Sequence, residues 1–301
     1  MPGQGLDWLN KKELMTYEEM LHVCELLIKL GINKVRITGG EPFIRKDIIH
    51  FLTALSKLNG LEQLTITTNG VLTAPYVHQL KTIGISSVNL SLDTLDRNRF
   101  ISITRRDELS KVLQTLEALL SANIETKINA VVMDGKNTED IIPLVNLSKE
   151  LPLSVRFIEE MPFNGEEDHH PGLVWNHIRI LDKIKENYPD IKKIDDPQFS
   201  TSYNYHIPGH KGSVGIIAAY TRSFCGTCNR IRITPQGELK TCLYDDGVFN
   251  IKKLLREGLH DDEIKKVLLN TFDHRAKDGW IAEQLRKEKK TVHESMATIG
   301  G

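Results

Sequence analysis

The sequence predicts an α/β fold: an incomplete barrel of parallel strands with outer helices, followed by a C-terminal region built around a cysteine cluster. Three observations predict it. From residue 16 to about 160, short strand patterns alternate with amphipathic helix patterns, and helical crossovers join parallel strands. Each of these strands is polar on one face and apolar on the other. Three of the four cysteines, Cys225, Cys228 and Cys242, fall in one short stretch, while Cys24 stands apart.

Taken in order, Thr16 and Glu19 make a capping box before the first helix, which runs to Leu30 and stops at Gly31. Strand patterns follow near 33–38, 62–67, 86–92, 124–132 and 153–158, with helix patterns near 47–58, 74–83, 108–122 and 138–150 between them. On the polar faces lie Lys34, Arg36 and Thr38 in the first strand, then Thr65, Thr67 and Asn69 in the second. The third offers Asn89, Ser91 and Asp93, the fourth Lys127 and Asn129, the fifth Arg156. An antiparallel sheet with one wet face alternates in the same way. The helical crossovers argue instead for a partial barrel whose polar faces line a lumen. A lumen holding Lys34, Arg36, Lys127 and Arg156 is costly unless an anion occupies it. Phosphate suits these side chains; the alternative is a structural ion-pair network.

Beyond residue 160 the character changes, which divides the chain into segments 1–160 and 161–301. Residues 162–172 are polar and turn-rich, and His169 and His170 within them read as solvated. A helix pattern follows near 175–187, short strands around 213–220 and 229–234, and helices near 249–257 and 261–271. Composition is ordinary for a globular protein: 40% hydrophobic, 26% charged and a formal net charge of −1 over 301 residues. There is no basic field to recruit nucleic acid. Apolar stretches are strand-sized, far short of a membrane span. The start, MPGQGLDWLNKKEL, lacks the charged and apolar regions of a signal peptide, so a cytoplasmic setting is expected.

Cys225-Gly226-Thr227-Cys228 is a CxxC, and Cys242 returns after thirteen residues with no histidine between. Structural zinc wants four closed ligands. Three thiolates with an open position suit a [4Fe-4S] cluster whose remaining iron takes an exogenous ligand. Zinc completed by His260 or His274 is the alternative. Arg230 and Arg232 share a face just after the CxxC, where they either balance the cluster's charge or hold an anionic ligand beside it. Cys24 shares a helix face with Met20, Leu27 and Ile28 and reads as a core residue.

Thr38-Gly39-Gly40-Glu41-Pro42, after a strand and before a helix, resembles the GGEP motif of radical S-adenosylmethionine (SAM) enzymes. With KVRITGGEPFIRKD, TTNG at Thr67–Gly70, NLSLD at Asn89–Asp93, RFIE at Arg156–Glu159, FCGTCNRIRITPQGELKTCL and the closing HESMATIGG, the chain resembles the GTP 3',8-cyclase (MoaA) family over nearly its whole length. The resemblance implies a radical SAM cyclisation of GTP opening molybdenum cofactor synthesis. It implies a C-terminal [4Fe-4S] cluster on Cys225, Cys228 and Cys242 that binds guanine. It implies GTP contacts at Lys34, Arg36, Thr67, Lys127, Arg230 and Arg232, and SAM contacts at Gly40, Ser91 and Met161. Gly300 and Gly301 would form a diglycine tail entering the active site, with simple terminal disorder as the alternative. The implied partners are GTP, a downstream enzyme forming cyclic pyranopterin, and a second copy in a homodimer, with neither nucleic acid nor membrane.

The family also carries a second [4Fe-4S] cluster on a CxxxCxxC motif, and these 301 residues contain no such motif. Met1-Pro2-Gly3-Gln4-Gly5 resembles the family's residues just after the last cysteine of that motif. The expectation is a reading frame opened at an internal methionine, with five barrel strands where the family has six, an aggregation-prone edge, and in-frame codons upstream for the motif. Two other readings stay open: a fragment that binds GTP and a metal cluster without turnover, and another radical SAM enzyme with an auxiliary cluster.

Overall fold

The computed structural model describes residues 10–161, 173–222, 225–245 and 247–288. The polar loop at 162–172 and the tail residues Gly300 and Gly301 lie outside the described residues. Contacts group the described chain into two compact units, 65–161 with 173–222, and 10–64 with the stretch from 225 to 288.

The first unit is built on a sheet. Its strands are β2 (Gln63–Thr68, from Thr65 onward), β3 (Ser87–Ser91), β4 (Glu125–Val132), β5 (Ser154–Glu159), β6 (Lys192–Lys193), β7 (Tyr203–His206) and β8 (Ser213–Ile217). They run in the order β2-β3-β4-β5-β8-β7-β6. β2 to β5 and β8 are parallel, and β7 and β6 continue antiparallel. The strand read near 213–220 therefore joins the parallel run beside β5. β1 (Lys34–Ile37) precedes β2 in the sheet order, giving eight strands; just before it, Asn33 O accepts the Glu62 and Gln63 N–H groups at 2.8 and 3.1 Å. The sheet is open rather than a closed barrel.

Alternation decides which face is dry. In β4, Thr126, Ile128, Ala130 and Val132 are buried while Lys127, Asn129 and Val131 are half-buried. In β5 the buried set is Val155, Phe157 and Glu159. The apolar side packs with helices α5 (Leu109–Ser121), α6 (Ile141–Glu150) and α7 (His177–Asn187). α5 buries Leu109, Val112, Leu116 and Leu119, the 3–4 spacing of one helical face. Thr115 Oγ1 on the same helix donates to Gly70 O at 2.6 Å, fixing the turn after β2. Gly70 has φ +79, and a Cβ there would lie 2.5 Å from Leu90 Cδ1, so only glycine fits this end of TTNG.

The second unit packs α1 (Tyr17–Lys29) against α8 (Ile251–Arg256), α9 (Asp261–Asp273) and a three-stranded antiparallel sheet, β9 (Arg232–Ile233), β10 (Glu238–Lys240) and β11 (Phe249–Asn250). Its core holds Val23, Leu26, Leu27, Leu239, Ile251, Ile264 and Leu268. The capping box is as read: Thr16 Oγ1 accepts the Glu19 N–H at 3.2 Å, and a Glu19 carboxylate oxygen accepts the Thr16 N–H at 2.8 Å. α1 ends at Lys29, and Gly31 beyond it adopts φ +96. Two helices lay outside the sequence reading, α4 (Arg97–Thr104) in the first unit and α10 (Gly279–Glu288) in the second. Among the described residues no helix is long and apolar enough to cross a membrane.

Candidate functional site

The cysteine region belongs to the second unit. Cys225 and Cys228 flank a 3₁₀ turn over Cys225–Thr227, closed by Cys228 N–H donating to Cys225 O at 3.2 Å. The chain then enters β9, turns through Thr234–Gly237, and returns as β10 with Arg232 opposite Lys240. This hairpin carries Cys242, two residues past Lys240, back toward the level of Arg230. Gly237 in the turn has φ +90, and a Cβ there would lie 2.5 Å from Lys252 Cβ. The sequence TPQG thus encodes a turn that only glycine closes.

Asp245 folds the loop around the third cysteine. Its Oδ2 accepts the N–H groups of Thr241 and Cys242, both at 2.8 Å, and the Thr241 hydroxyl at 3.0 Å. Its Oδ1 accepts the Gly247 N–H at 3.0 Å. Lys240, fully buried, donates to Asp245 O at 2.9 Å. The turn so made aims the Tyr244 N–H at Cys242 Sγ, 3.5 Å away. Burial raises the Cys242 thiol pKa; the Tyr244 N–H opposes that, Asp245 and Cys225 add to it, and Arg232 opposes it.

Arg230 and Arg232 stand beside these thiols. Burial pulls Arg230 down to about 10, the neighbouring charge of Arg36 adds to the fall, and Cys228 opposes it. Burial also lowers Arg232, against the charges of Cys228, Cys242 and Asp245. Arg36 and Arg232 both disfavour the charge of half-buried Arg230, so the three guanidinium groups form a local field suited to an anion. Lys34 and Arg36 lie on the exposed face of β1, so burial in a lumen is not what distinguishes them. At Gly39, φ is +130, while Gly40 has no such backbone demand; a Cβ at either would meet no atom within 4 Å. Open space at Gly40 suits close approach by a ligand.

The three cysteines fit an iron-sulfur cluster by the chemistry of the donor set: thiols in one partly buried loop pair, a backbone N–H aimed at sulfur, and cations alongside. As placed they are not a closed ligand cage, since among the described residues no group of three or more His, Cys, Asp or Glu is arranged to hold a metal ion. The zinc alternative gains nothing from the histidines. His260 and His274 sit at opposite ends of α9, and His274 Nδ1 is 2.7 Å from Asn270 O. Burial pushes the Cys24 thiol up to about 12, which keeps it protonated and inert.

The remaining candidates belong to the first unit, on the polar face of its sheet. The register sets Thr67, Asn89 and Lys127 in one row, then Ser91, Asn129 and Arg156 in the next toward the strand ends. Thr67, Lys127 and Arg156 are half-buried and Ser91 is exposed. Lys127 Nζ lies 2.8 Å from Glu125 Oε1. Asn89 Oδ1 and Asn129 Oδ1 are buried without a hydrogen-bond partner among the described residues. Met161, half-buried, follows β5 by two residues.

Three supporting residues escaped the sequence reading. Gly215 sits opposite Arg156, and a Cβ there would lie 3.1 Å from Arg156 Cγ, so the glycine makes room for that side chain. Glu159, fully buried, accepts from His177 N at 2.7 Å, Tyr220 N at 2.9 Å and Thr221 N at 2.8 Å, which anchors the strand end leading to Met161. Asp245 is the third. Glu159 closes the motif RFIE, but only tertiary structure reveals what it holds; Asp245 lies two residues past KTCL and holds its own turn.

The comparisons with known proteins agree along the chain. Residues 5–148 match the Radical SAM superfamily, and residues 153–280 match Molybdenum Cofactor Synthesis C. The chain is 36% identical to the GTP 3',8-cyclase of Clostridium perfringens, covering 98% of this chain and 90% of that protein. It is 36% identical to the mitochondrial GTP 3',8-cyclase of Arabidopsis thaliana, covering 89% of this chain and 69% of the relative. Against the bovine Molybdenum cofactor biosynthesis protein 1 it is 38% identical, and there it spans only 42% of the relative's length. Among solved structures, Streptococcus suis SuiB matches 91% of this chain and 62% of its own with a TM-score of 0.60 at 16% identity, a likeness of fold. Open parallel sheet, CxxC hairpin, arginine pair and these relatives converge: the chain belongs to the radical SAM superfamily and, within it, to the GTP 3',8-cyclase family.

Proposed function

We propose that this chain serves the conversion of GTP to its 3',8-cyclised nucleotide, the opening step of molybdenum cofactor biosynthesis. The observation that carries the reading is the pair of desolvated arginines, Arg230 and Arg232, beside Cys228 and Cys242. In this reading Cys225, Cys228 and Cys242 hold a [4Fe-4S] cluster, which when bound supplies an open, Lewis-acidic iron for the guanine. Arg230, Arg232, Arg36 and Lys34 bind the triphosphate, with Thr67 and Lys127 contributing from the sheet. Gly40, Ser91 and Met161 bind SAM, and the diglycine end, Gly300 and Gly301, enters the site. Segment 1–160 supplies the SAM side and segment 161–301 the cluster. The product passes to a pyranopterin-forming enzyme, and the chain works as a homodimer.

The radical-generating cluster does not fit the residues present. The 301 residues contain four cysteines and no CxxxCxxC, so they supply no ligand set for it. That count favours a second reading for these residues alone: binding of GTP and one cluster without turnover. Anaerobic reconstitution followed by calorimetric titration tests the shared part. About four irons per chain and a saturable GTP site are expected. Stoichiometric zinc without sulfide, or no GTP binding, sinks the reading. Turnover separates the two versions, since 5'-deoxyadenosine formed by the 301 residues would exclude the binding-only reading.

Asp245 supplies a further check. It holds the Thr241, Cys242 and Gly247 N–H groups, so its loss unfolds the turn that presents Cys242. Asp245→Ala is expected to lose about half or more of the retained iron on desalting. Asp245→Asn, which keeps an acceptor oxygen, should lose less. Equal iron retention in the wild type and the alanine variant would show that the turn does not position the cysteine.

A further inference from the structure

Of the two buried acceptors that have no partner among the described residues, Asn89 Oδ1 lies in the more telling place. Asn89 is 2% exposed, and its Nδ2 donates to Thr67 Oγ1 at 3.2 Å. A buried amide oxygen left without a donor carries its full desolvation penalty, so such an atom calls for a donor from outside the chain, a bound ligand or an ordered water. The register seats Asn89 between Thr67 and Lys127, both assigned above to GTP. Phosphate oxygens only accept at neutral pH, so they cannot satisfy an acceptor. The donors of a nucleotide nearest its phosphates are the ribose hydroxyls.

We infer that Asn89 is a substrate-binding residue whose Oδ1 accepts a hydrogen bond from a ribose hydroxyl, so that the site selects ribonucleotides over deoxyribonucleotides. The inference rests on the GTP reading. The ribose of SAM offers the same hydroxyl chemistry. Asn89, however, shares its row with Thr67 and Lys127, whereas the SAM-assigned Ser91 lies in the next row.

The test is calorimetric titration of the anaerobically reconstituted full chain with GTP, 2'-deoxyGTP, 3'-deoxyGTP and SAM. The wild type should bind GTP about tenfold more tightly than one of the two deoxynucleotides. In Asn89→Ala that ratio should collapse to within about twofold, because the residue that reads the hydroxyl is gone. Asn89→Asp, isosteric and still an acceptor, should retain the ratio even if its charge weakens every nucleotide alike. SAM affinity should be the same in all three proteins. A wild type that ignores both deoxy substitutions overturns the inference without any variant. So does an unchanged ratio in Asn89→Ala. A loss confined to SAM moves the contact to the other ribose and equally overturns it. Absence of GTP binding in the wild type fails the GTP reading itself, and so is distinguishable from failure of Asn89 alone.

Discussion

Cys228→Ser is expected to bring the iron of the reconstituted chain from about four per chain to below about one. Cys225 and Cys228 sit at the ends of one 3₁₀ turn, with Cys228 N–H closing onto Cys225 O. In the proposed site, removing either sulfur would leave two ligands of three, and a cubane held by two thiolates has two open irons where one is tolerable. Serine keeps the turn's size and backbone bond, so the loss reads ligation rather than folding. Cys24→Ser is the matched control. That thiol lies on α1, burial pushes it up to about 12, and iron content should be unchanged. Iron and labile sulfide assays decide the matter. If Cys228→Ser retains its iron, the three-cysteine assignment fails. If both variants lose it equally, the site lies elsewhere.

Much of the fold was legible because its signals are local. The capping box at Thr16 and Glu19 sits three residues apart, and the alternation of β4 and β5 follows the two-residue period of the pleat. The helices that escaped the sequence reading show where local signals fail. α4 reads RNRFISIT, rich in β-branched residues that favour strands, yet Asp96 caps it by accepting the Arg99 N–H at 2.8 Å. α10 leaves Trp280 54% and Leu285 49% exposed and buries the small Ala282, so its large apolar residues do not mark the buried side. β8 was readable as a strand, but not as β5's parallel neighbour, because pairing of residues 59 positions apart is set by tertiary packing.

The candidate site divides in the same way. Residue types and spacing pointed to Cys225, Cys228, Cys242, Arg230 and Arg232, and the β9–β10 hairpin supplies a physical reason for that spacing. The expectation of a buried lumen was less apt for Lys34 and Arg36, which lie on an exposed strand face. Alternation tells which residues share a face, but not whether that face is covered. Glu159 acts through backbone N–H groups brought from other segments, and no period or motif encodes that, whereas Asp245 holds the N–H groups of its own turn.

Arg232→Ala and Arg230→Ala are each expected to weaken GTP binding about 10- to 150-fold, the loss of a charge-assisted hydrogen bond to phosphate at about 1.5–3 kcal/mol. The geometry explains why these arginines matter more than others. Both are half-buried with burial lowering their pKa, and Arg36 acts on Arg230 in the direction that disfavours its charge. Such a group is costly in the free protein, and a triphosphate offsets the cost when it binds. Arg97 provides the contrast: it is exposed and paired with Asp107, so Arg97→Ala should leave GTP affinity within about twofold. The double variant should lose less than the product of the single losses, because removing Arg230 also relieves repulsion on Arg232. Arg232→Lys separates charge from shape, keeping a cation but not the planar fork that grips phosphate at two points. Its affinity should fall between wild type and alanine. Equal affinity in Arg232→Ala and wild type would return the pair to a structural role beside Cys228 and Cys242.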